Sequence, residues 1–225
     1  MALSVGVLII GSLYWDTTGG RVRWRAERLE KDREWLVKAP IRYGRFADQR
    51  GTYTMVFSSL PDDQLGHAKV VQCRKTVSTL RDLVEEAEWL WAAESKSPRN
   101  RNISSGWGCV ALLCHPERRI PLDFLEGWAR HVAANSGADS ARLVNDRGIL
   151  QISWPVLVDG SGLNPLDLLL ATSNSPKPLP PPDPAVEAIA CGFRAKDEYF
   201  RENRRNGIQT FQDDDIIRVM SSGTK

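Results

Sequence analysis

One short apolar run near the start of the chain constrains the fold more than any other feature. Residues 5–10 read V-G-V-L-I-I, and Gly11 and Ser12 follow directly. An uninterrupted apolar run of this length, ending at a turn signal, predicts a β-strand buried on both faces. A glycine after such a strand lets a ligand approach main-chain N–H groups, which can hold a carboxylate or a developing oxyanion. The alternative is an ordinary strand-to-turn junction.

Further segments predict strands of the same sheet. Residues 106–114, G-W-G-C-V-A-L-L-C, form a second nearly continuous apolar run, which we expect to lie centrally beside the first. β-Branched and aromatic residues bounded by turns predict strands at 41–46, 52–57 and 67–73, with one or two more within 142–158. Strands so closely spaced favour a mixed, mainly antiparallel sheet that is curved or barrel-like.

Apolar residues at helical spacing predict helices around this sheet, and therefore an α+β protein. From Thr79 onward, leucine and tryptophan side chains fall on one face and charged side chains on the other. The predicted helices cover about 80–93, 122–134 and 185–206, with a short one at 163–170. The segment 21–38 alternates in charge, which favours a solvated helix with local ion pairs over a nucleic-acid-binding stripe.

The composition limits the partners and the compartment. The 225 residues include 30 basic and 28 acidic side chains, so the net charge of +2 gives no electrostatic case for nucleic acid or an anionic membrane. The first apolar run is too short to span a membrane and no basic segment precedes it, so we expect a cytoplasmic protein. Four cysteines without a C-x-x-C pair and only three histidines disfavour a zinc site.

A proline-rich segment divides the chain. Residues 173–184, S-N-S-P-K-P-L-P-P-P-D-P, predict an extended linker. It separates a domain at 1–172 from a C-terminal segment at 185–225. We expect that segment to pack as helices on the same domain, because it is too short to form a core of its own.

Four segments carry a further pattern. They are G-S-L-Y-W at 11–15; R-Y-G-R-F at 42–46 followed by R-G-T at 50–52; W-G-C-V-A at 107–111 running into L-D-F-L-E-G at 122–127; and Tyr199 with G-I at 207–208. In this order they resemble the γ-glutamyl cyclotransferase superfamily, and the first is similar to its ChaC-type, glutathione-degrading branch. The sequence departs from the family at Ile10, where a tyrosine is usual, and in a longer segment at about 80–105.

The resemblance implies both a fold and an activity. The fold is γ-glutamyl cyclotransferase-like, and the activity releases 5-oxoproline and an amine from a small γ-glutamyl compound, with no metal or organic cofactor. It implies that Glu126 is the general acid/base. The substrate-binding residues that it implies are Gly11, Ser12, Leu13, Tyr14, Arg45 and Tyr199. The pocket is then expected where the 11–13 loop meets the start of the helix that carries Glu126.

Two alternatives stay open. Glu126 lies on the rim of an apolar helix stripe, where partial burial would raise its pKa for acid/base work, but an exposed carboxylate there would pair with Arg130 at i+4 instead. The chain as a whole is alternatively a non-catalytic member of the fold that binds a small carboxylate ligand or a protein partner. Whether Glu126 points into a pocket near the 11–13 amides distinguishes these alternatives.

Overall fold

The chain folds into an α+β structure built on a mixed sheet, as the sequence predicts. A computed structural model describes residues 2–59, 64–96, 102–135, 143–177, 184–195 and 198–222. Within these ranges the strands are β1 Val5–Ile9, β2 Leu29–Ala39, β3 Ile41–Ala47, β4 Thr52–Phe57, β5 Gly66–Cys73, β6 Ser104–Ser105, β7 Gly108–Cys114, β8 Val156–Leu157 and β9 Leu168–Asn174. The helices are α1 Gly19–Arg28, α2 Leu80–Ser95, α3 Leu122–Asn135, α4 Val186–Ala195, α5 Glu198–Arg205 and α6 Asp213–Ser222.

Seven of the strands form one sheet in the order β6-β7-β9-β1-β5-β2-β8. Strand β1 pairs in parallel with β9 and antiparallel with β5, and the other ladders of this sheet are antiparallel. Strands β3 and β4 form a separate antiparallel hairpin. Because β6 and β8 are edge strands that do not pair with each other, the sheet is open across the described residues.

Alternate side chains of β1 point to opposite sides of the sheet, and each side carries one layer of the core. Val5, Val7 and Ile9 point to the side that α1, α2 and α3 cover, through side chains such as Trp24, Leu83 and Trp128. Leu8 and Ile10 point to the other side, which the β3–β4 hairpin and helices α4 to α6 cover. All five residues of β1 are buried, which confirms the predicted strand with two buried faces.

Two segments that were predicted as helices are partly strands. The predicted helix at 21–38 ends at Arg28, and the chain continues as β2 with a bulge between Leu29 and Glu34. The predicted short helix at 163–170 is wrong, because residues from Leu168 onward form β9. Strand β9 also lies between β1 and β7, so the predicted direct pairing of those two apolar runs is wrong as well.

The C-terminal helices share the core of the main domain. Ile189 and Phe193 of α4, Phe200 of α5 and Ile216 of α6 are buried in the same cluster as Leu8 of β1. The predicted linker starts too early, since its first two residues belong to β9. Residues 178–183 of that linker lie outside the described residues. Across the described part of the chain, no helix combines the length and apolar character that a membrane span requires.

Candidate active site

A cavity of about 340 Å³ opens at the carboxyl end of β1. Its floor is the 11–13 loop, one wall is the end of the β3–β4 hairpin at 45–50, and the opposite wall is formed by Glu94 at the end of α2. Tyr199 of α5 also lines the cavity. Elements from both layers of the core therefore meet at the glycine that the sequence marks as a candidate site.

Three backbone N–H groups of the loop after β1 donate to no residue that the structure describes. The N–H of Tyr14 donates to the carbonyl of Gly11 at 3.1 Å and that of Asp16 to the carbonyl of Ser12 at 2.8 Å, which fold the loop into a tight turn. No described residue accepts a hydrogen bond from the backbone N–H of Gly11, Ser12 or Leu13. Buried backbone donors are normally paired, so this loop has the character of an anion cradle.

Gly11 is required by the close approach of Tyr199. A Cβ added to Gly11 would lie 2.5 Å from the Tyr199 hydroxyl oxygen. That hydroxyl accepts a hydrogen bond from the backbone N–H of Met55 at 3.3 Å, and burial raises its pKa. The ring of Trp15 lies 6.1 Å from the Tyr199 ring, and its Nε1 donates to Asn203 Oδ1 at 2.7 Å. The motif tryptophan therefore supports α5 rather than the cavity.

Three arginines line the cavity. Arg21, which is buried, donates from Nε to the carbonyl of Ala93 at 3.2 Å and from Nη1 to Ser12 Oγ at 2.7 Å. Arg50 reaches the same Ser12 oxygen from the hairpin, with Nη2 at 3.3 Å, and its guanidinium lies 5.3 Å from the centre of the Tyr199 ring. Arg45 donates to the carbonyl of Ser175 at 2.8 Å. Because Asp48 and Glu94 also line the cavity, guanidinium groups outnumber carboxyl groups by three to two among its described lining residues, which favours an anionic ligand group.

Asp16 offsets part of this positive charge from behind the loop. Its Oδ2 lies 3.0 Å from Arg21 Nη1, 3.5 Å from Arg50 Nη2 and 3.7 Å from Lys96 Nζ. Burial acts to raise the pKa of this carboxyl, but the hydrogen bonds from Thr18 and the positive charges of Arg21 and Lys96 lower it below its ordinary value. Asp16 therefore stays ionised and holds the cations in place.

Glu94 is the carboxyl group inside the cavity that is suited to proton transfer. Its side chain is only 15% exposed, and Oε2 lies 3.3 Å from Arg21 Nη2. Burial raises the pKa of Glu94 above its ordinary value, although Arg21, Arg50 and Lys96 act to lower it. A raised pKa makes a carboxylate a stronger base, which suits it to accept a proton and then return it.

The structure brings most of the sequence-predicted binding residues together. Gly11, Ser12, Leu13, Arg45 and Tyr199 all line the cavity. Tyr14 does not, because its hydroxyl turns away and donates to Glu34 Oε2 at 2.8 Å. Burial and this acidic partner raise the pKa of Tyr14 to about 12.

The predicted acid/base lies elsewhere. Glu126 is exposed on α3 and is not among the residues that line the cavity. The cavity therefore does not lie at the start of the α3 helix, as the sequence predicted. No ion pair joins Glu126 to Arg130 either, although both are described.

Sequence reasoning missed Glu94 because the predicted helix ended at about residue 93. The helix instead runs to Ser95, which keeps Glu94 on its last turn. Glu94 follows the buried Leu90 by four residues and the buried Trp91 by three. That spacing places a carboxylate at the end of the apolar stripe, which is the pattern that predicts a buried acid.

Comparison of the chain with protein-family models, with curated proteins and with solved structures finds no match. Within the described residues, no group of three or more histidine, cysteine, aspartate or glutamate side chains is arranged to hold a metal ion. The function therefore has to be argued from the chemistry of the cavity itself.

Proposed function

We propose that this protein is a γ-glutamyl cyclotransferase-like enzyme that releases 5-oxoproline and an amine from a small γ-glutamyl compound. The observation that carries the proposal is that one largely buried carboxyl of raised pKa, Glu94, lines the same cavity as the 11–13 loop, whose amides donate to no described residue. The reaction needs a proton shuttle and an anion cradle, and no metal or organic cofactor. In this proposal Glu94 takes the role that the sequence pattern assigned to Glu126.

The proposed chemistry is an intramolecular aminolysis. The substrate's α-amino nitrogen attacks its own γ-carbonyl carbon, so a C–N bond forms in the ring and the original amide C–N bond breaks. The attacking nitrogen starts as an ammonium ion and ends as the ring N–H, so it loses two protons, while the leaving amide nitrogen gains two and departs as an ammonium ion. The Glu94 carboxylate accepts each of these protons in turn and passes it to the leaving nitrogen, so the reaction balances and the carboxylate returns to its starting state.

Charge around the cavity supports the binding half of the proposal. A γ-glutamyl group carries an α-carboxylate, and Arg45 and Arg50 on the hairpin wall offer guanidinium groups to an anion of this kind. The aliphatic chain of the substrate fits the apolar surface supplied by Leu13 and Met55. The cavity of about 340 Å³ lies at the lower end of the size range of small-molecule sites.

A second function, binding without catalysis, is favoured by two observations. Glu126 does not line the cavity, and its position was the feature expected to separate a catalytic from a non-catalytic protein. Glu94 already has an ion-pair partner in Arg21, and such a pair can serve structure alone. The protein would then bind a small carboxylate ligand in the same cradle and turn nothing over. The two functions differ in a single measurable property, the release of 5-oxoproline.

The test compares two glutamates of the same chain. Wild type, Glu94→Gln and Glu126→Gln are each incubated with glutathione and a panel of γ-glutamyl dipeptides, and 5-oxoproline is quantified. We expect Glu94→Gln to lower turnover by about 10²–10⁴-fold, the usual value of a positioned acid/base. Glu126→Gln, a matched change on an exposed helix face, is expected to leave turnover unchanged.

Three results would contradict this proposal. Absence of 5-oxoproline from every substrate, with 5-oxoproline still binding to the wild type, would favour the binding function. Full activity of Glu94→Gln would remove Glu94 from the mechanism. Loss of activity in Glu126→Gln with Glu94→Gln unaffected would restore the role that the sequence pattern gave to Glu126.

A further inference from the structure

Ser12 occupies a chemically unusual position in the cavity. Its hydroxyl oxygen accepts hydrogen bonds from two guanidinium groups, Arg21 Nη1 at 2.7 Å and Arg50 Nη2 at 3.3 Å. A serine hydroxyl has two acceptor lone pairs and one proton to donate. Both acceptor positions are therefore taken, and the proton must point in the one remaining direction.

The remaining direction is not used by the protein. Among the described residues, none accepts a hydrogen bond from the Ser12 hydroxyl, and Ser12 lines the cavity. The two positive charges also polarise the hydroxyl, because hydrogen bonds in a chain strengthen one another. The result is a single oriented donor beside the three unpaired amides of the same loop.

We propose that the Ser12 hydroxyl donates a hydrogen bond to a negatively charged oxygen of the ligand, and that Arg21 and Arg50 are positioning residues that aim it. The identity of this oxygen rests on the proposed reaction. There it is the γ-carbonyl oxygen of the substrate, which becomes anionic as the amine attacks. When the amide breaks, the electron pair on that oxygen re-forms the carbonyl, and no further reactant is needed.

Arg21 places the donor and the acid/base on the same guanidinium. Its Nη1 contacts Ser12 and its Nη2 contacts Glu94 at 3.3 Å. The two functional groups therefore contact the same guanidinium, and in the proposed reaction the substrate amide presents its oxygen to Ser12 and its nitrogen to Glu94. Hydrogen-bond donors that are already in place where negative charge develops in the transition state lower the activation barrier most.

The binding test uses glutarate, which carries an anionic oxygen at the position of the γ-carbonyl, and neutral glutaramide as its uncharged counterpart. Affinities are measured by isothermal titration calorimetry for wild type, Ser12→Ala and Ser12→Thr. We expect Ser12→Ala to weaken glutarate binding about tenfold or more and glutaramide binding much less, because hydrogen bonds to charged acceptors are the stronger ones. Ser12→Thr, which retains the hydroxyl, is expected to restore most of the lost affinity.

Two controls separate the donor from the packing of the arginines. Ser58 accepts a hydrogen bond from Arg42 Nε at 3.1 Å outside the cavity, so Ser58→Ala removes an equivalent serine–arginine contact and should leave glutarate binding unchanged. The effect of Ser12→Ala is also measured in an Arg50→Gln background. It should persist there, because Arg21 still orients the hydroxyl.

The possible results decide whether the Ser12 hydroxyl donates to the ligand, and they do so independently of the proposed cyclotransferase activity. Absence of glutarate binding to the wild type, an equal loss for glutarate and glutaramide, or an effect that vanishes in Arg50→Gln would each overturn the donor role. Ser12-dependent glutarate binding without release of 5-oxoproline would support the donor and refute the cyclotransferase. If turnover is found, Ser12→Ala should lower kcat by about 10²–10³-fold with little change in KM, and a rise in KM alone would overturn the assignment.

Discussion

Substitution of Gly11 by alanine should reveal how tightly the candidate site is packed. The added Cβ would lie 2.5 Å from the Tyr199 hydroxyl oxygen, well inside contact distance, while the next ring atoms lie at 3.5 and 3.8 Å. Overpacking of a well-filled site costs about 1–3 kcal/mol. The free energy of unfolding should fall by that amount, and the midpoint of thermal unfolding by about 2–12 °C for a chain of this size.

Removing the hydroxyl should relieve most of the strain. In a Tyr199→Phe background only the ordinary ring contacts remain, so Gly11→Ala should cost little there, and the coupling between the two substitutions should be about 1–3 kcal/mol. Tyr199→Phe alone loses the acceptor for the Met55 N–H, at a cost of about 1–3 kcal/mol. Gly20→Ala serves as the control, because nothing lies within 4 Å of its Cβ and it sits in α1.

The assay is equilibrium unfolding in urea for the four combinations and the control. Stability differences should appear as shifts in the midpoint with an unchanged slope. A cost of Gly11→Ala that is the same in both backgrounds would refute the argument from Tyr199. If Gly11→Ala in the Tyr199→Phe background is stable but no longer binds 5-oxoproline, Gly11 is also needed for the approach of the ligand.

Two further predictions concern stability away from the cavity. Burial raises the pKa of Asp213 to about 6, so the folded state binds this proton more tightly than the unfolded chain does. Protonated Asp213 therefore stabilises the fold at low pH, and this stabilisation is lost as the pH rises through about 6. Asp213→Asn should therefore gain on the order of 2–3 kcal/mol over wild type between pH 4 and pH 7 in urea unfolding, and a pH-independent difference would contradict this. Arg28→Met strands the buried Glu86 carboxylate, whose Oε2 accepts from Arg28 Nε at 3.1 Å, and should cost about 3–5 kcal/mol. Arg23→Met breaks an exposed i,i+4 pair and the contact of its guanidinium with the Trp89 ring at 5.5 Å, and should cost about 1 kcal/mol, so equal losses in the two arginine variants would refute the burial argument.

Local patterns in the sequence correctly predicted those elements whose apolar residues recur at the spacing of the faces that they bury. The apolar run that became β1 has no polar position, and it lies buried on both faces as predicted. Helices α2 and α3 bury one face each, so their 3.6-residue stripes were visible in the sequence. The β3–β4 hairpin was also predicted, because strand-forming residues flank a turn that ends at Gly51 with a φ of 65°.

Long-range pairing decided the elements that were mispredicted. Strand β9 has an apolar, leucine-rich sequence that suits a buried helix as well as a buried strand, and periodicity cannot separate the two. Its place between β1 and β7 supplies hydrogen bonds on both edges, which makes it a strand. Strand β2 is rich in charged residues, and only its ladder with β5 ends the preceding helix at Arg28.

For the site, the sequence alone predicted the loop after β1 as a candidate ligand site, because a glycine and a turn follow a buried strand there, and ligand binding at this loop stays a prediction. The sequence did not determine which carboxylate faces that loop. Glu94 and Glu126 are both helical glutamates near an apolar stripe, and only the packing of α2 and α3 makes one largely buried and the other exposed. Arg21 and Glu94 meet across 73 positions of the chain, and Arg50 reaches Ser12 across 38. Burial and contact between such distant segments are properties of the tertiary structure, since they depend on which faces of separate elements pack together.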